Sequence, residues 1–264
     1  MLKRSRRRLF ADGAANRPSG PLERRAALLS ASPPIFVSPT LDRLTRAHPA
    51  APAIVFGPAV ALFGFLAFRD LAVVPAIILI AGGYLFWTLC EYWAHRTVFH
   101  YEPEDGLGSR LHWMIHGLHH DHPSDPDRLV LPPAFSVPLA AAFMGVFVLT
   151  LGTPNAWPVA AGFYLGYVVY DTLHFALHHT RPKGRLGRRL HELHMRHHFE
   201  DGERGFGVSA PWWDIVFQTR PRRPGQPTPA PRPTPESTEE VPGVPSTGFA
   251  TRIRKPDRDD ARTE

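Results

Sequence analysis

Fourteen of the chain's fifteen histidines fall in two blocks, His95 to His122 and His174 to His198. The first contains His95-x-x-x-x-His100 and His116-x-x-His119-His120; the second contains His174-x-x-x-His178 and His194-x-x-His197-His198. On a helix, residues three or four apart share a face, with Cβ atoms roughly 5–6 Å apart. That spacing predicts that His116, His119 and His120 aim three imidazoles at one point. His194, His197 and His198 are expected to do the same, and His174 and His178 to form a further pair. His95 and His100 are five apart and diverge around an ideal helix, so their helix is expected to end or distort near His100. Tyr101-Glu102-Pro103 would encourage this.

Neutral imidazole is a metal ligand suited to zinc, copper, iron and nickel. A single tetrahedral zinc needs only four ligands, so ten patterned histidines at roughly four to six per ion imply two metals. Two bound metals could also serve hydrolysis, but such sites usually mix in carboxylates. A neutral, all-histidine set suits an iron pair that changes oxidation state and activates dioxygen, with zinc able to occupy the same cage. His112, His122, His179 and His191 lie in register with the ten but outside the four boxes, and are expected to line or support the site. Glu91 precedes His95 by four residues and Asp171 precedes His174 by three. Both are expected to accept the distal N–H of the ring one turn on. His48, in a polar segment, is assigned no role.

Histidines can converge only if helices deliver them. Apolar residues collect in four blocks: Pro52 to Phe68, Leu71 to about Trp93, Ala134 to Leu151, and a fourth from Trp157. About 17–25 helical residues span the hydrocarbon, so the blocks predict four membrane helices. The second and fourth run on into His95 and into His174 and His178. Ser109 to His122 and Leu186 to His198 are expected to be short helices outside the lipid, ended by Pro123 and by Gly202, Gly205 and Gly207. The expected fold is therefore all-α: an integral membrane four-helix domain with a cytosolic helical cap that carries a histidine-rich dimetal site. Phe206, Trp212, Trp213 and Phe217 are expected to pack that cap or sit among headgroups.

The charge pattern orients the bundle. Lysine and arginine number 30 against 24 acids, and they crowd before the first block and after the second and fourth, leaving only Arg69 at the opposite turns. By the positive-inside rule both termini and all four boxes face the cytoplasm. The arginine bias hints at a bacterial genome and hence an inner-membrane location. The basic balance comes without an aromatic-basic recognition motif, so nucleic acid is not an expected partner. With Cys90 as the only cysteine, there is neither an intramolecular disulfide nor a cysteine metal site. The expected organisation is a basic, largely disordered arm over residues 1–50, a membrane-embedded domain over 51–219, and a proline-rich disordered tail over 220–264. A short interfacial helix is expected from about Pro39 to Arg46.

A site at the mouth of a membrane bundle implies a lipid that enters sideways, with an inert C–H bond as the target. The four boxes, Tyr170-Asp171-x-x-His174, and Gly205-Phe206-Gly207-Val208-Ser209 followed by Trp213-Asp214 resemble the fatty acid hydroxylase/sterol desaturase superfamily. His116-Gly117-Leu118-His119-His120-Asp121 and Arg128-Leu129-Val130-Leu131-Pro132-Pro133 resemble its fatty acid 2-hydroxylase branch most closely, over roughly Ala72 to Thr219. The resemblance implies two irons held by His95, His100, His116, His119, His120, His174, His178, His194, His197 and His198. It also implies hydroxylation with dioxygen at carbon 2 of a long-chain fatty acid or ceramide-type lipid. Some relatives carry a fused cytochrome domain with a His-Pro-Gly-Gly motif, which this chain lacks. A separate ferredoxin or cytochrome is therefore expected to supply electrons at the cytoplasmic face, where Arg181, Lys183, Arg185, Arg188 and Arg189 cluster. A sterol, carotenoid or other lipid desaturase or hydroxylase on the same scaffold is the second reading. A metal transporter is the third, and it requires polar residues through the membrane midplane that the first and third blocks lack.

Overall fold

Glycine pairs set the closest helix packing. The structure is a computed structural model describing residues 20–101, 108–109 and 112–222, where no strand occurs among the described residues. Four long helices form its centre: α3 (Ala51–Asp70), α4 (Val73–Trp93), α6 (Pro133–Leu151) and α7 (Ala156–His179). Gly83 of α4 lies against Val159, and Gly162 of α7 lies against Ile80 and Tyr84. Any Cβ at either glycine would overlap backbone. Small residues thus let α4 and α7 touch almost main chain to main chain, the packing that substitutes for a hydrophobic driving force in lipid.

α7 is the hub and packs against α3, α4 and α6. Phe56 of α3 meets Tyr164 and Tyr167 edge-on at 5.6 and 4.9 Å, and Phe63 stacks on Trp157 at 5.7 Å. The Tyr164 hydroxyl donates to Ala140 O at 2.8 Å, so this buried phenol is itself satisfied. The other helices turn Ile54, Phe65, Ile78 and Leu149 outward. Such extensive exposed apolar surface is foreign to a water-facing bundle. Among the described residues, three helical spans, Ala51–Asp70, Val73–Phe99 and Pro133–Leu151, are long and apolar enough to cross a membrane. The third is α6 and the second is α4 with its continuation. α7 does not join them on composition, because its tyrosines, glycines and histidines face neighbouring helices instead of lipid.

Both histidine-bearing ends, those of α4 and α7, lie at the same end of the bundle. The links at the other end are short: Leu71-Ala72 between α3 and α4, and Gly152–Asn155 between α6 and α7. Gly152 has φ of +66°, a left-handed conformation that glycine adopts without a Cβ penalty. Beyond the histidine-bearing end lie α5 (Leu118–Asp121), α8 (Gly184–Phe199) and α9 (Trp212–Val216).

The expectation of a disordered arm over residues 1–50 fails for its second half. Residues 20–50 contain α1 (Pro21–Leu29) and α2 (Pro39–Leu44), both docked on the loop that follows the second box. Ser124 N–H donates to Leu29 O at 3.0 Å, and Ala47 N–H donates to Asp127 O at 2.8 Å. The buried Arg128 guanidinium reaches Asp42 at 2.8 Å and also bonds Pro33 O; Arg46 holds the same Asp42 at 3.0 Å. Composition marks these charges as solvated, but here Asp42 and Arg128 neutralise one another across 86 residues of chain. The expected helix near Pro39 to Arg46 is α2. The run Lys3 to Arg8, the Glu102-Pro103 step and the tail beyond 222 lie outside the described residues.

Candidate metal centre

The five-residue gap between His95 and His100 is resolved by a π-helical turn. α4 continues without a break into Ala94–Phe99, where His100 N–H bonds His95 O at 3.2 Å. An i→i+5 turn brings round to one face two residues that an α-helix would splay; such turns are rare and frequent at functional sites. The two rings lie 5.0 Å apart. A second π-turn, Trp113–Gly117, runs into α5 and carries His116, His119 and His120. The helix expected across Ser109 to His122 is therefore interrupted in its hydrogen-bond pattern.

The ten patterned histidines form two groups of five. One comprises His95, His100, His116, His120 and His197; the other comprises His119, His174, His178, His194 and His198. Within each group the offered ring nitrogens all lie within 4.8 Å of one another. The expectation that each triplet aims at a single point is corrected, since His119 parts from His116 and His120, and His197 parts from His194 and His198. Helix geometry explains the division: on an α-helix the i+4 residue lies about 40° to one side of residue i, and the i+3 residue about 60° to the other. Each triplet therefore serves both groups. The groups abut, with the His120 ring stacked 4.3 Å from that of His198.

The donor set fits metal ions on three counts. With metal–nitrogen bonds of about 2.1 Å, adjacent donors around an ion stand about 3.0 Å apart and opposite ones about 4.2 Å. In the first group the closest Nε2 pairs are His120–His116 at 2.9 Å, His100–His197 at 3.1 Å, and His95–His116 and His116–His100 at 3.2 Å. In the second they are His178–His194 at 2.8 Å and His119–His198 at 3.1 Å. Tautomers point the same way. His95 Nδ1 lies 2.7 Å from Phe206 O and His197 Nδ1 lies 2.8 Å from Arg204 O. A carbonyl only accepts, so both Nδ1 atoms carry the proton and both Nε2 atoms present bare lone pairs to the first group's centre. Finally, His174 Nε2 is buried without a partner, a costly state for a polar atom unless something binds it.

Burial also keeps the rings neutral, the form that binds metal. It pushes His100 down to about 2 and His120 to about 3, with neighbouring rings adding to the shift. Burial lowers His197 to about 4. His116, His119, His194 and His198 are driven well below the ordinary range by the same two causes.

The supporting residues differ from expectation. Glu91 does not accept from His95; its carboxylate takes the Ser209 N–H at 2.7 Å and the Ser209 hydroxyl. The acceptor for His95 is the main-chain carbonyl of Phe206, in the same loop. Asp171 accepts the Leu131 N–H at 3.2 Å and fixes the chain leading into α6, without bonding His174. In both cases a loop amide returns to the helix and reaches the carboxylate first. His122 bonds Leu28 O at 2.6 Å, and His179 stacks on Phe175 at 4.1 Å, both outside the two groups. His112 and His191 are half-buried and belong to neither group. His48 accepts the Ala50 N–H at the start of α3.

The cap aromatics divide by role. The Phe206 ring lies 5.4–5.8 Å from those of His95, His100 and His197. Phe217 stacks on Tyr92 at 4.9 Å, Trp213 Nε1 donates to Thr88 at 3.1 Å, and Trp212 stays exposed. Sequence reasoning assigned no role to Asp214, which accepts the N–H groups of Phe206 and Gly207 at 3.0 and 2.9 Å. The available signal was two closely spaced glycines with an acid seven residues after the second, the pattern of a carboxylate gathering loop amides.

Fold and site together define an all-helical protein with candidate membrane spans and ten histidines arranged to hold metal at one end of its bundle. The fatty acid hydroxylase family model matches residues 78–219, and the chain belongs to that family. It is 39% identical over 150 residues to the dihydroceramide fatty acyl 2-hydroxylase FAH1 of Arabidopsis thaliana, covering 56% of this chain and 62% of that one. To the ceramide very long chain fatty acid hydroxylase SCS7 of Saccharomyces cerevisiae it is 35% identical over 191 residues, covering 71% and 49%. To the fatty acid 2-hydroxylase of Mus musculus it is 42% identical over 141 residues, covering 52% and 38%. The matches thus span between 38% and 62% of these relatives' own length. The solved structure of full-length scs7p, in which only the hydroxylase domain is visible, superposes with a TM-score of 0.65 at 35% identity and covers 71% of each chain.

Proposed function

We propose that the chain is a membrane-bound dimetal monooxygenase that hydroxylates carbon 2 of a long acyl chain, free or within a ceramide-type lipid. The observation carrying this reading is the pair of five-histidine groups, each closing its Nε2 atoms to coordination distances. The activities for which the 2-hydroxylase relatives are named supply the substrate class. All ten histidines serve as ligands, five to each ion. Iron is the metal of choice, since zinc has no redox chemistry to offer. When bound, the iron pair supplies reductive activation of dioxygen. One oxygen atom enters the C–H bond and the other leaves as water, with two electrons and two protons consumed.

The protein's part is positional. The neutral cage leaves the metal charge uncompensated by ligand carboxylates, and the cage is buried between π-turns, α7 and α8, where few waters compete. Phe206 closes the first group from the side of the loop. α7 is the fourth crossing of a four-helix membrane domain over residues 51–219, with the boxes and both termini cytoplasmic by the positive-inside rule. Arg181, Lys183, Arg185 and Arg188 stand exposed at the start of α8. That charge suits an acidic electron carrier such as a ferredoxin or cytochrome docking on the cytoplasmic face.

Lipid extracts of bacteria expressing the chain, grown under oxygen-18 gas, test the reading. A gain of one labelled oxygen at carbon 2 is expected, absent with the His119→Ala, His120→Ala double variant. The same product from the variant would sink the assignment, and loss of two hydrogens instead would move it to a desaturase.

A further inference from the structure

The two histidine groups are not held alike. In the first, His95 and His197 each give their Nδ1 proton to a backbone carbonyl of one loop, Phe206 O and Arg204 O. In the second, His198 Nδ1 is buried with no partner at all. A carbonyl opposite Nδ1–H fixes the tautomer, locks the ring's rotation and raises the basicity of the nitrogen facing the metal. His198 has none of these aids.

Asp214 aims the Phe206 carbonyl directly and the Arg204 carbonyl through Thr219. The loop from Arg204 to Ser209 has no helical hydrogen-bond pattern of its own, and Gly205 within it sits at φ +82°. Asp214 Oδ1 accepts from Phe206 N–H and Oδ2 from Gly207 N–H, so one carboxylate grips both amides flanking the Phe206 carbonyl. Thr219 then donates its hydroxyl to Asp214 at 2.7 Å and takes the Tyr92 hydroxyl at 2.8 Å; Tyr92 accepts in turn from Arg96 at 3.1 Å. This chain ties the loop to the helical turn that carries His95. Thr219 O also accepts from Gly205 N–H at 2.8 Å, steadying the Arg204 carbonyl next to it. Glu91 anchors the far end of the loop through Ser209. The Phe206 ring rests on His95, His100 and His197, all members of the first group.

Resting on the reading of the ten histidines as two ion sites, we propose that Asp214 is a positioning residue for the His95 group alone. That group accordingly holds its ion more tightly than the His119 group. Loss of such an outer hydrogen bond costs about 10–100-fold in metal affinity, and two of the five rings depend on this loop.

The full chain, purified in detergent and loaded with zinc, should lose its two ions to a chelator in two separated steps, counted by elemental analysis. Zinc keeps the measurement apart from turnover. His178→Ala should abolish the easily lost step, and His100→Ala the resistant one. Asp214→Asn should move the resistant step towards the easy one by about 10–100-fold and leave the easy step in place. Thr219→Val and Glu91→Gln should move the same step less, and they decide the matter if Asp214→Asn does not fold. Both steps unmoved, or both shifted equally, would overturn the proposal while leaving the two-ion reading intact. A parent chain that takes up no zinc would overturn that reading as well.

Discussion

Alanine at Gly162 should part the two helices that deliver His95 and His174. A Cβ there would overlap the Ile80 carbonyl oxygen and stand 2.8 Å from the Ile80 carbonyl carbon and from Tyr84 N. Ordinary contact is about 3.5 Å, so α4 and α7 must move apart by more than about 0.7 Å. Overpacking costs about 1–3 kcal/mol, and the upper end applies because both surfaces are backbone, with no side-chain torsion to give way. Against this stands a helix-propensity gain of about 1 kcal/mol for alanine over glycine, leaving a net loss of about 2 kcal/mol. For a chain of this size that is a Tm lower by roughly 4–8 °C. Gly145 on α6 has nothing within 4 Å of its would-be Cβ, so Gly145→Ala keeps only the gain. Thermal unfolding of both variants in the same detergent, followed by loss of the monodisperse elution peak, should move in opposite directions. A Gly162→Ala chain as stable as Gly145→Ala would refute the close-packing argument.

Two further outcomes follow from charged groups. Asp42→Ala strands the buried Arg128 guanidinium without its carboxylate and should cost about 3 kcal/mol, felt locally. Hydrogen exchange should quicken in residues 20–48 and in the loop around Arg128, and unaltered exchange there would show that the ion pairs do not hold the segment. The metal-free fold should weaken on acidification. His100, His120 and His197 titrate near 2, 3 and 4 when folded but near 6.5 when unfolded. The unfolded chain therefore binds more protons than the folded one between those values. Stability is full above about pH 6.5 and falls as pH drops towards 4, by about 1.4 kcal/mol per pH unit for each ring. Denaturant midpoints that stay level from pH 7 to pH 5 would contradict it.

Local pattern carried much of this architecture. The apolar blocks anticipate α3, α4, α6 and α7 to within a few residues, because lipid exposure demands long apolar runs. The ten histidines that converge are those whose spacing marked them. What spacing concealed was their partition: i, i+3 and i+4 all read as one face, yet at ligand distances a hundred degrees of arc is enough to separate His119 from His120. His95 and His100 showed that a helix must deform but not how, since a π-turn has no composition of its own. Docking of residues 20–50 depends on Asp42 meeting Arg128, a pairing that no local pattern reveals. Glu91 and Asp171 are expected from spacing to accept from the rings of His95 and His174. Their partners are the amides of Ser209 and Leu131, brought in by loops whose paths only the folded chain defines.

Counting ions in single-group variants tests the central claim most directly. Purified parent protein should carry two ions per chain, while His116→Ala and His194→Ala, which each disable a different group, should carry about one apiece. A parent chain with one ion or none, or a variant that still retains two, would contradict the account.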